Sequence, residues 1–502
     1  MSRARDWATL GEVCNEPVEQ SGLASTSDFV YIDIGSIDRS QKVIVTAQTM
    51  SGVDAPSRAR QRLSTGDVLV SMTRPNLNAV AIVPAKLDGA IGSTGFHVLR
   101  SKHMVSQYLY FLVQSQEFVH AMCAVVQGAL YPAVRPSDIG AFQMRIPSRA
   151  EQTRIVDKLE ELLSDLDAGV AELKAAQKKL AQYRQSLLKA AVEGRLTEAW
   201  RAQHGEPAEG GAQLLACILR ERSARWEARQ LAKFLAQGKA PTKGWQDAYP
   251  LPTALDTSGL PELPQGWVWS SLGQCFHVGV GATPSRKQPE YWGGDTPWVS
   301  SGEVRFNRVL ATKEQISSLG LQNSSTRLNP IGSVMLGMIG EGKTRGQAAI
   351  LDIEAANNQN CAAIWVPETD IAPEYIYYWL WSRYDETRRG SSGNNQPALN
   401  KSIVEAIPFP LPPLSELAAV VALVEVGMAE ASSQEAALEH ALRQSAAQRK
   451  NILQAAFSGQ LVPQDPNDEP ASVLLARIRA ERVASDRTRT GARRTRRPAA
   501  AA

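Results

Sequence analysis

Hydrophobic positions along the chain follow two regimes, and the alternation between them happens twice. Short apolar runs at Val68–Val70 and Val80–Val83, then at Val334–Leu336 and Ala348–Leu351, are broken by Gly, Pro and Asn, which predicts strands. Gln107–Val113 and Glu374–Trp381 carry the spacing of short helices. Each mixed stretch runs into a long helical pattern. From Ile155 one column of positions reads Ile155, Leu162, Gly169, Ala176, Tyr183 and Ala190, while its companion is leucine throughout, at Leu159, Leu166, Leu173, Leu180 and Leu187. Such sustained steps of four and three predict a coiled-coil helix. A second stripe, Val420, Val424, Met428, Leu438, Leu442 and Ile452, is interrupted by Glu435 and Ser445. A lone helix would leave either stripe in water, so the two are expected to pack on each other.

The chain is an internal duplication. Ile146-Pro147 followed by Glu151 matches Leu411-Pro412 followed by Glu416, and Leu188 to Leu196 matches Leu453 to Leu461 at the same spacing. Trp7-x-x-Leu10-Gly11 echoes Trp269-x-x-Leu272-Gly273 at a slightly different spacing, as loops of unequal length on a shared scaffold require. Leu214-Leu215-x-x-Ile218 recurs as Leu474-Leu475-x-x-Ile478. The expected fold class is α+β: two mixed α/β units in tandem repeat, separated by two long helices that pair as an antiparallel coiled coil. The divisions are a first mixed unit at 1–150, a first (central) spacer helix at 151–196, and a helical connector with Pro-rich linker at 197–262. A second mixed unit at 263–415, a second (distal) spacer helix at 416–462 and a C-terminal extension at 463–502 follow. Its basic end, from Arg487, is expected to be disordered.

Composition narrows the function classes. The 502 residues are 43% hydrophobic and 21% charged, near globular averages. No apolar run approaches the length of a bilayer span, and the N-terminus lacks a secretory pattern, so a cytoplasmic protein is expected. Five scattered cysteines give neither a zinc framework nor a disulfide framework. The net charge of +3 hides an asymmetry: after Ser472, nine arginines face only Glu481 and Asp486, which leaves the rest of the chain net negative. Any nucleic-acid affinity of the body must therefore come from local clusters.

Catalytic motifs are thin. Gly337 to Thr344 satisfies the phosphate-loop pattern G-x-x-x-x-G-K-T, which would make the chain a nucleotide-binding enzyme. That mechanism needs a helix directly after Lys343-Thr344. Here Ala348–Leu351 reads as another strand, so a glycine-rich hairpin is the better reading. No catalytic residue, metal site or cofactor is expected in the chain itself. What remains is recognition chemistry. Arg58, Arg60 and Arg62 alternate, as suits a strand face along phosphates, and Arg74, Asn76 and Asn78 follow a strand. In the second unit Lys343, Arg345 and Gln347 share one loop. Asn358 and Gln359, with Asn394, Asn395 and Gln396, concentrate side chains able to bind an adenine edge.

With these residues in place, the chain resembles the specificity subunits of type I restriction-modification systems. The resemblance is carried by Gly281-Ala282-Thr283-Pro284-Ser285-Arg286-Lys287, Pro297-Trp298-Val299-Ser300, Gly340 to Gln347, and Gln396-Pro397-x-Leu399-Asn400, together with the repeat. The first unit departs from the pattern, having Tyr131-Pro132-Ala133 and no Thr-Pro-Ser loop. The resemblance implies two target-recognition domains that read a bipartite double-stranded DNA target, Ser285, Arg286 and Lys287 among the DNA-binding candidates. It implies a helical ruler packed through Ile155, Leu159, Leu162, Leu166, Leu173, Leu180, Leu187, Val424, Leu438 and Ile452. The implied partners are two methyltransferase subunits, which use S-adenosylmethionine, and two restriction-translocase subunits, which use ATP and magnesium. A coiled-coil scaffold without DNA contacts would explain the helices but not two loop-variable units.

Overall fold

The computed structural model describes residues 7–14, 16–20, 28–126, 132–205, 207–252, 254–340, 342–389 and 399–495. The chain forms two compact units, residues 1–175 with 438–502, and residues 176–437. The division cuts both long helices, Arg149–Val192 and Leu414–Phe457. Each unit therefore holds the start of one helix and the end of the other.

In the first unit Val68–Ser71 is the middle strand of a three-stranded antiparallel sheet, flanked by Phe96–Leu99 and Val80–Ile82. A four-stranded sheet runs Gln48–Met50, Phe29–Ile32, Ile91–Ser93 and Ala59–Arg62. The second unit repeats the plan with a larger sheet, ordered His277–Val280, Cys361–Trp365, Val334–Gly337, Ala348–Leu351 and Asn307–Val309. The predicted strands thus form in both copies. Their central members are buried on both faces, which explains why they read as continuous apolar runs rather than as alternation. The Trp-x-x-Leu-Gly echo marks a capping box in each copy: Thr9 with Glu12, and Ser271 with Gln274, closing the first turn of Leu10–Val13 and of Leu272–Cys275.

The same elements close both cores. In the first unit Ile155, Val156, Leu159 and Leu163 from the start of the first long helix join Leu453 and Ala456 from the end of the second, with Leu474, Leu475 and Ile478 from the last helix, Ala471–Thr495. In the second unit Leu417, Val420, Val424 and Met428 join Leu187, Leu188, Ala191 and Val192, with Ile218 from the connector helix Gly211–Ala236. Each such side chain contributes about 1.5–3 kcal/mol on full burial. The repeated Val192-Glu193-Gly194 and Phe457-Ser458-Gly459 mark helix ends. Gly194 and Gly459 take φ of 69° and 77°, the left-handed conformation that terminates a helix and favours glycine.

The long helices pair antiparallel in both units. Arg449 bonds Asp167 in the first. In the second, Arg184 bonds Glu435 at 2.7 Å and donates to Ser432 Oγ at 3.1 Å. At Gly427 the helices lie close enough that a β-carbon would come 2.6 Å from Leu187 Cδ2. The leucine column is buried at Leu159, Leu180 and Leu187 and half-buried at Leu166 and Leu173. Leu162, Leu438 and Ile452 are also half-buried, while Gly169 and Tyr183 face water. The stripe is widest where a helix packs on a globular core as well as on its partner, which is why Val156 and Leu163 are buried beside the predicted positions. The last helix runs to Thr495; residues 496–502, within the stretch expected to be disordered from Arg487, lie outside the described residues.

Glu416, in the first turn of the second long helix, is 2% exposed and is the polar anchor of the second unit. It accepts from Trp267 Nε1 at 2.8 Å, Thr197 Oγ1 at 2.6 Å and Arg201 Nη1 at 2.5 Å. Removing a buried carboxylate leaves three donors unmatched. Glu416→Ala is expected to destabilise the second unit by about 3 kcal/mol in denaturant unfolding. Glu416→Gln, which still offers an acceptor, is expected to recover part of that loss; equal stability of all three proteins would contradict the assignment.

Candidate nucleic-acid interface

Strand register decides which loops share an end of each sheet. In the second unit Val280 pairs with Ala362, Gly337 with Cys361 and Leu336 with Ala348. The loops at 281–287, 338–347 and 357–360 therefore leave the five-stranded sheet at one end. Asn307–Val309 runs parallel to Ala348–Leu351, so the loop before it, with Arg305 and Phe306, belongs to the same end. Hydrogen bonds tie these loops together: Thr283 Oγ1 donates to Gln359 Oε1 at 2.6 Å, and the Met338 amide donates to the Asn360 carbonyl at 2.8 Å.

The hairpin 338–347 resolves the phosphate-loop question. Lys343 and Thr344 lead into the strand Ala348–Leu351, not a helix, so no helix N-terminus is presented to a phosphate. Turn bonds run from the Gly346 amide to the Gly337 carbonyl and from the Gln347 amide to the Thr344 carbonyl. Lys343 is exposed, its carbonyl accepting from Tyr384 Oη at 2.8 Å, and Gln347 is half-buried.

Several recognition candidates turn out to hold the scaffold. Arg345 is 4% exposed and donates Nη2 to the Arg388 carbonyl at 3.2 Å, so it fastens the hairpin to the helix Tyr384–Arg389 rather than offering its fork to a base. Asn358 is buried, its Oδ1 accepting from the Asn360 amide. Its neighbour Asn357 is pinned by Asn329 Nδ2, and its own amide donates to the carbonyls of Asn358 and Cys361. These are turn-forming asparagines, a use that sequence alone does not separate from base reading. Gln359, by contrast, is exposed. Arg286 is exposed but braced, forming a bidentate pair with Glu314 at 2.5 and 2.8 Å and lying 3.6 Å over the Trp292 ring. That pairing raises the Arg286 pKa and lowers that of Glu314, so both stay charged. Ser285 and Lys287 are exposed beside it. Asn394, Asn395 and Gln396 lie outside the described residues. Sequence reasoning missed Arg305, exposed at the same sheet end; a left-handed φ of 54° at Phe306, next to it, was its structural mark.

In the first unit the corresponding end of the three-stranded sheet, at Ser71 and Phe96, carries Arg74 and Asn76, both exposed. Arg74 takes a left-handed φ of 49°, and its amide donates to the Pro132 carbonyl. Arg58 reaches this end through the bond from the Thr94 amide to its carbonyl. Arg58, Arg60 and Arg62 are all exposed and alternate with the less exposed Ala59 and Gln61, although Arg58 precedes the strand and the ladder shifts register between Ala59 and Gln61. Asn78 is a structural residue, donating Nδ2 to the Val113 carbonyl at 2.9 Å. Its carbonyl accepts from Lys42 Nζ, whose pKa burial pushes down to about 8.

Burial pushes the thiols of Cys14, Cys275 and Cys361 up to about 12, and His277, packed on Trp365, down to about 4. Among the described residues no group of three or more His, Cys, Asp or Glu could hold a metal ion.

Comparison with known proteins places this architecture. Residues 264–422 match the type I restriction modification DNA specificity domain. The chain is 24% identical over 391 residues to the EcoDI type I restriction enzyme specificity subunit of Escherichia coli, covering 76% of this chain and 77% of that one. It is 22% identical over 399 residues to the HindI specificity subunit of Haemophilus influenzae, covering 75% and 82%. Residues 264–422 thus carry a domain of the kind found in type I restriction-modification specificity subunits, which the chain resembles over about three quarters of its length. The family match falls on the second copy, where the Thr-Pro-Ser-Arg loop stands, and not on the first, which departs from that pattern. Two solved structures share the fold. One, from work on complex assembly and conformational transition of the type I R-M system, has a TM-score of 0.68 at 23% identity, covering 90% of this chain and 97% of that one. The other, the HsdS subunit from Thermoanaerobacter tengcongensis, has a TM-score of 0.51 at 23% identity, covering 90% and 96%.

The buried Arg345 gives a direct check. Arg345→Ala removes a charged donor from the Arg388 carbonyl, a loss of about 1.5–3 kcal/mol in the hairpin. Hydrogen–deuterium exchange is expected to speed up at residues 342–347 while the sheet stays protected. Unchanged exchange in that loop would show that Arg345 does not hold it.

Proposed function

We propose that this chain is the sequence-specific DNA-binding subunit of a type I restriction-modification complex, reading a bipartite target with one unit per half. The observation that carries this reading is the equivalence of the two loop-bearing sheet ends: the same strands in each copy project different loops. Equivalent frames present the two readers alike, while unlike loops make the half-targets unlike. In the first unit Arg58, Arg60, Arg62, Arg74 and Asn76 are the groups available to DNA. In the second they are Ser285, Lys287, Arg305, Lys343 and Gln359, with Arg286 held on its tryptophan. The cations set register on phosphates, and the amides and arginine forks read base edges in the major groove.

The chain itself is the non-catalytic member of the assembly. Two methyltransferase subunits bring S-adenosylmethionine and act on an adenine taken out of the stack. Restriction-translocase subunits bring ATP and magnesium. The paired long helices set the gap between half-targets, and the complex works in the cytoplasm; no helix among the described residues is long and apolar enough to cross a membrane.

Selection of bound DNA from a random duplex pool by the chain with its methyltransferase partner tests the reading. A split motif with a fixed gap is expected, and Gln359→Ala is expected to relax one half only. One contiguous motif, or none, would contradict it.

A further inference from the structure

The loop 281–287 of the second unit is held from below by two tryptophans. Trp298 Nε1 donates to the Ala282 carbonyl at 3.1 Å, and Trp292 Nε1 donates to the Ser285 carbonyl at 3.3 Å. The two rings meet edge to face, with centroids 5.1 Å apart. Pro284, between the two anchored carbonyls, is buried, and the Gln288 amide closes a turn on the Ser285 carbonyl at 3.2 Å. These ties fix the backbone from which Arg286 projects.

The side chain is fixed as firmly. Strand pairing sets Glu314 opposite Trp298, in the sheet that joins Trp292–Val299 to Glu314–Ile316. From there Glu314 accepts from Arg286 Nη1 at 2.5 Å and from Nη2 at 2.8 Å, while the guanidinium lies 3.6 Å over the centre of the Trp292 ring. A guanidinium carries five N–H groups in a planar fork. The pair with Glu314 uses its outer end and leaves the side edge, Nε with the second N–H of Nη2. Nε has no partner among the described residues, and the side chain is 55% exposed.

Charge decides what that edge can take. Glu314 sits on the same guanidinium and offsets its charge, so a phosphate bound at the side edge would face a carboxylate. A neutral pair of acceptors meets no such repulsion. Guanine presents one in the major groove, O6 with N7, and parallel arginine N–H groups match it.

We infer that Arg286 reads a guanine in the half-target of the second unit, with Glu314 and Trp292 as the residues that position its fork. The inference rests on the DNA-binding reading above and assigns one base of one half. Thr283 of the same loop holds Gln359, so the guanine and the base met by Gln359 belong to the same half-target. The first unit lacks the Thr-Pro-Ser-Arg loop, and the assignment does not extend to it.

The test uses the full chain with its methyltransferase partner. Bound duplexes are selected from a random pool, and affinities for the selected target and for random duplex are then compared. Arg286→Lys keeps the charge and loses the fork. Glu314→Gln keeps the size and breaks the bidentate pair. Both side chains lie at the surface, so neither change threatens the fold. The parent is expected to select guanine at a fixed position of one half-motif. Each variant should lose that preference by at least about fivefold, the low end for a bidentate base contact, with every other position unchanged. Random-duplex affinity should not fall in either, and should rise in Glu314→Gln, where the arginine charge is released. A guanine preference intact in Arg286→Lys would overturn the inference, and one intact in Glu314→Gln would overturn the positioning role. A loss shared equally by target and random duplex would make Arg286 a phosphate contact instead. A parent complex that selects no motif would overturn the DNA-binding reading itself.

Discussion

The leucine column of the first long helix sets the terms for everything else in this chain. A helix of 44 residues with that column in water would expose a strip of apolar surface along its whole length, and the second copy provides the surface that covers it. Because the two helices run antiparallel, the end of each meets the start of the other, and both ends are built into a globular core. Leu188 and Ala191 close one core with Val420 and Val424; Leu453 and Ala456 close the other with Ile155 and Leu159. The duplication is thus a structural requirement, since either copy alone would leave a core without its closing helix.

Polar anchors and buried strands fix each unit. Buried carboxylates fasten the first turns of both long helices, Glu416 to Trp267, Thr197 and Arg201, and Glu151 beside Arg145 at 3.8 Å. The central strands are buried on both faces. The recognition candidates sit in loops at one sheet end, where side chains can change without disturbing a core.

Most of the frame was legible in the sequence, and much of the site was not. Repeats, strands and long helices follow from periodic burial, which a hydrophobic pattern records directly. Gly194 and Gly459, matched in the repeat, turned out to end their helices in the left-handed conformation. Site residues carry no such signature. Asn357, Asn358 and Asn78 resemble base readers in composition, yet their amides satisfy neighbouring carbonyls. Arg345 looked like a reading fork and is a buried pin, because a tight hairpin of glycines needs an internal donor to hold it. Its replacement at the sheet end, Arg305, was hidden because its position depends on the parallel pairing of Asn307–Val309 with Ala348–Leu351, a long-range contact without a local pattern.

The proposed role of the paired helices, to set the gap between two half-targets, can be tested by changing their length. Inserting seven helical residues into the middle of both long helices, opposite each other, preserves the heptad register and adds about 10 Å at about 1.5 Å per residue. Motif selection with the lengthened chain and its methyltransferase partner is the most direct test. The account predicts both half-motifs unchanged and a gap longer by about three base pairs, at about 3.4 Å each. An unchanged gap would contradict it.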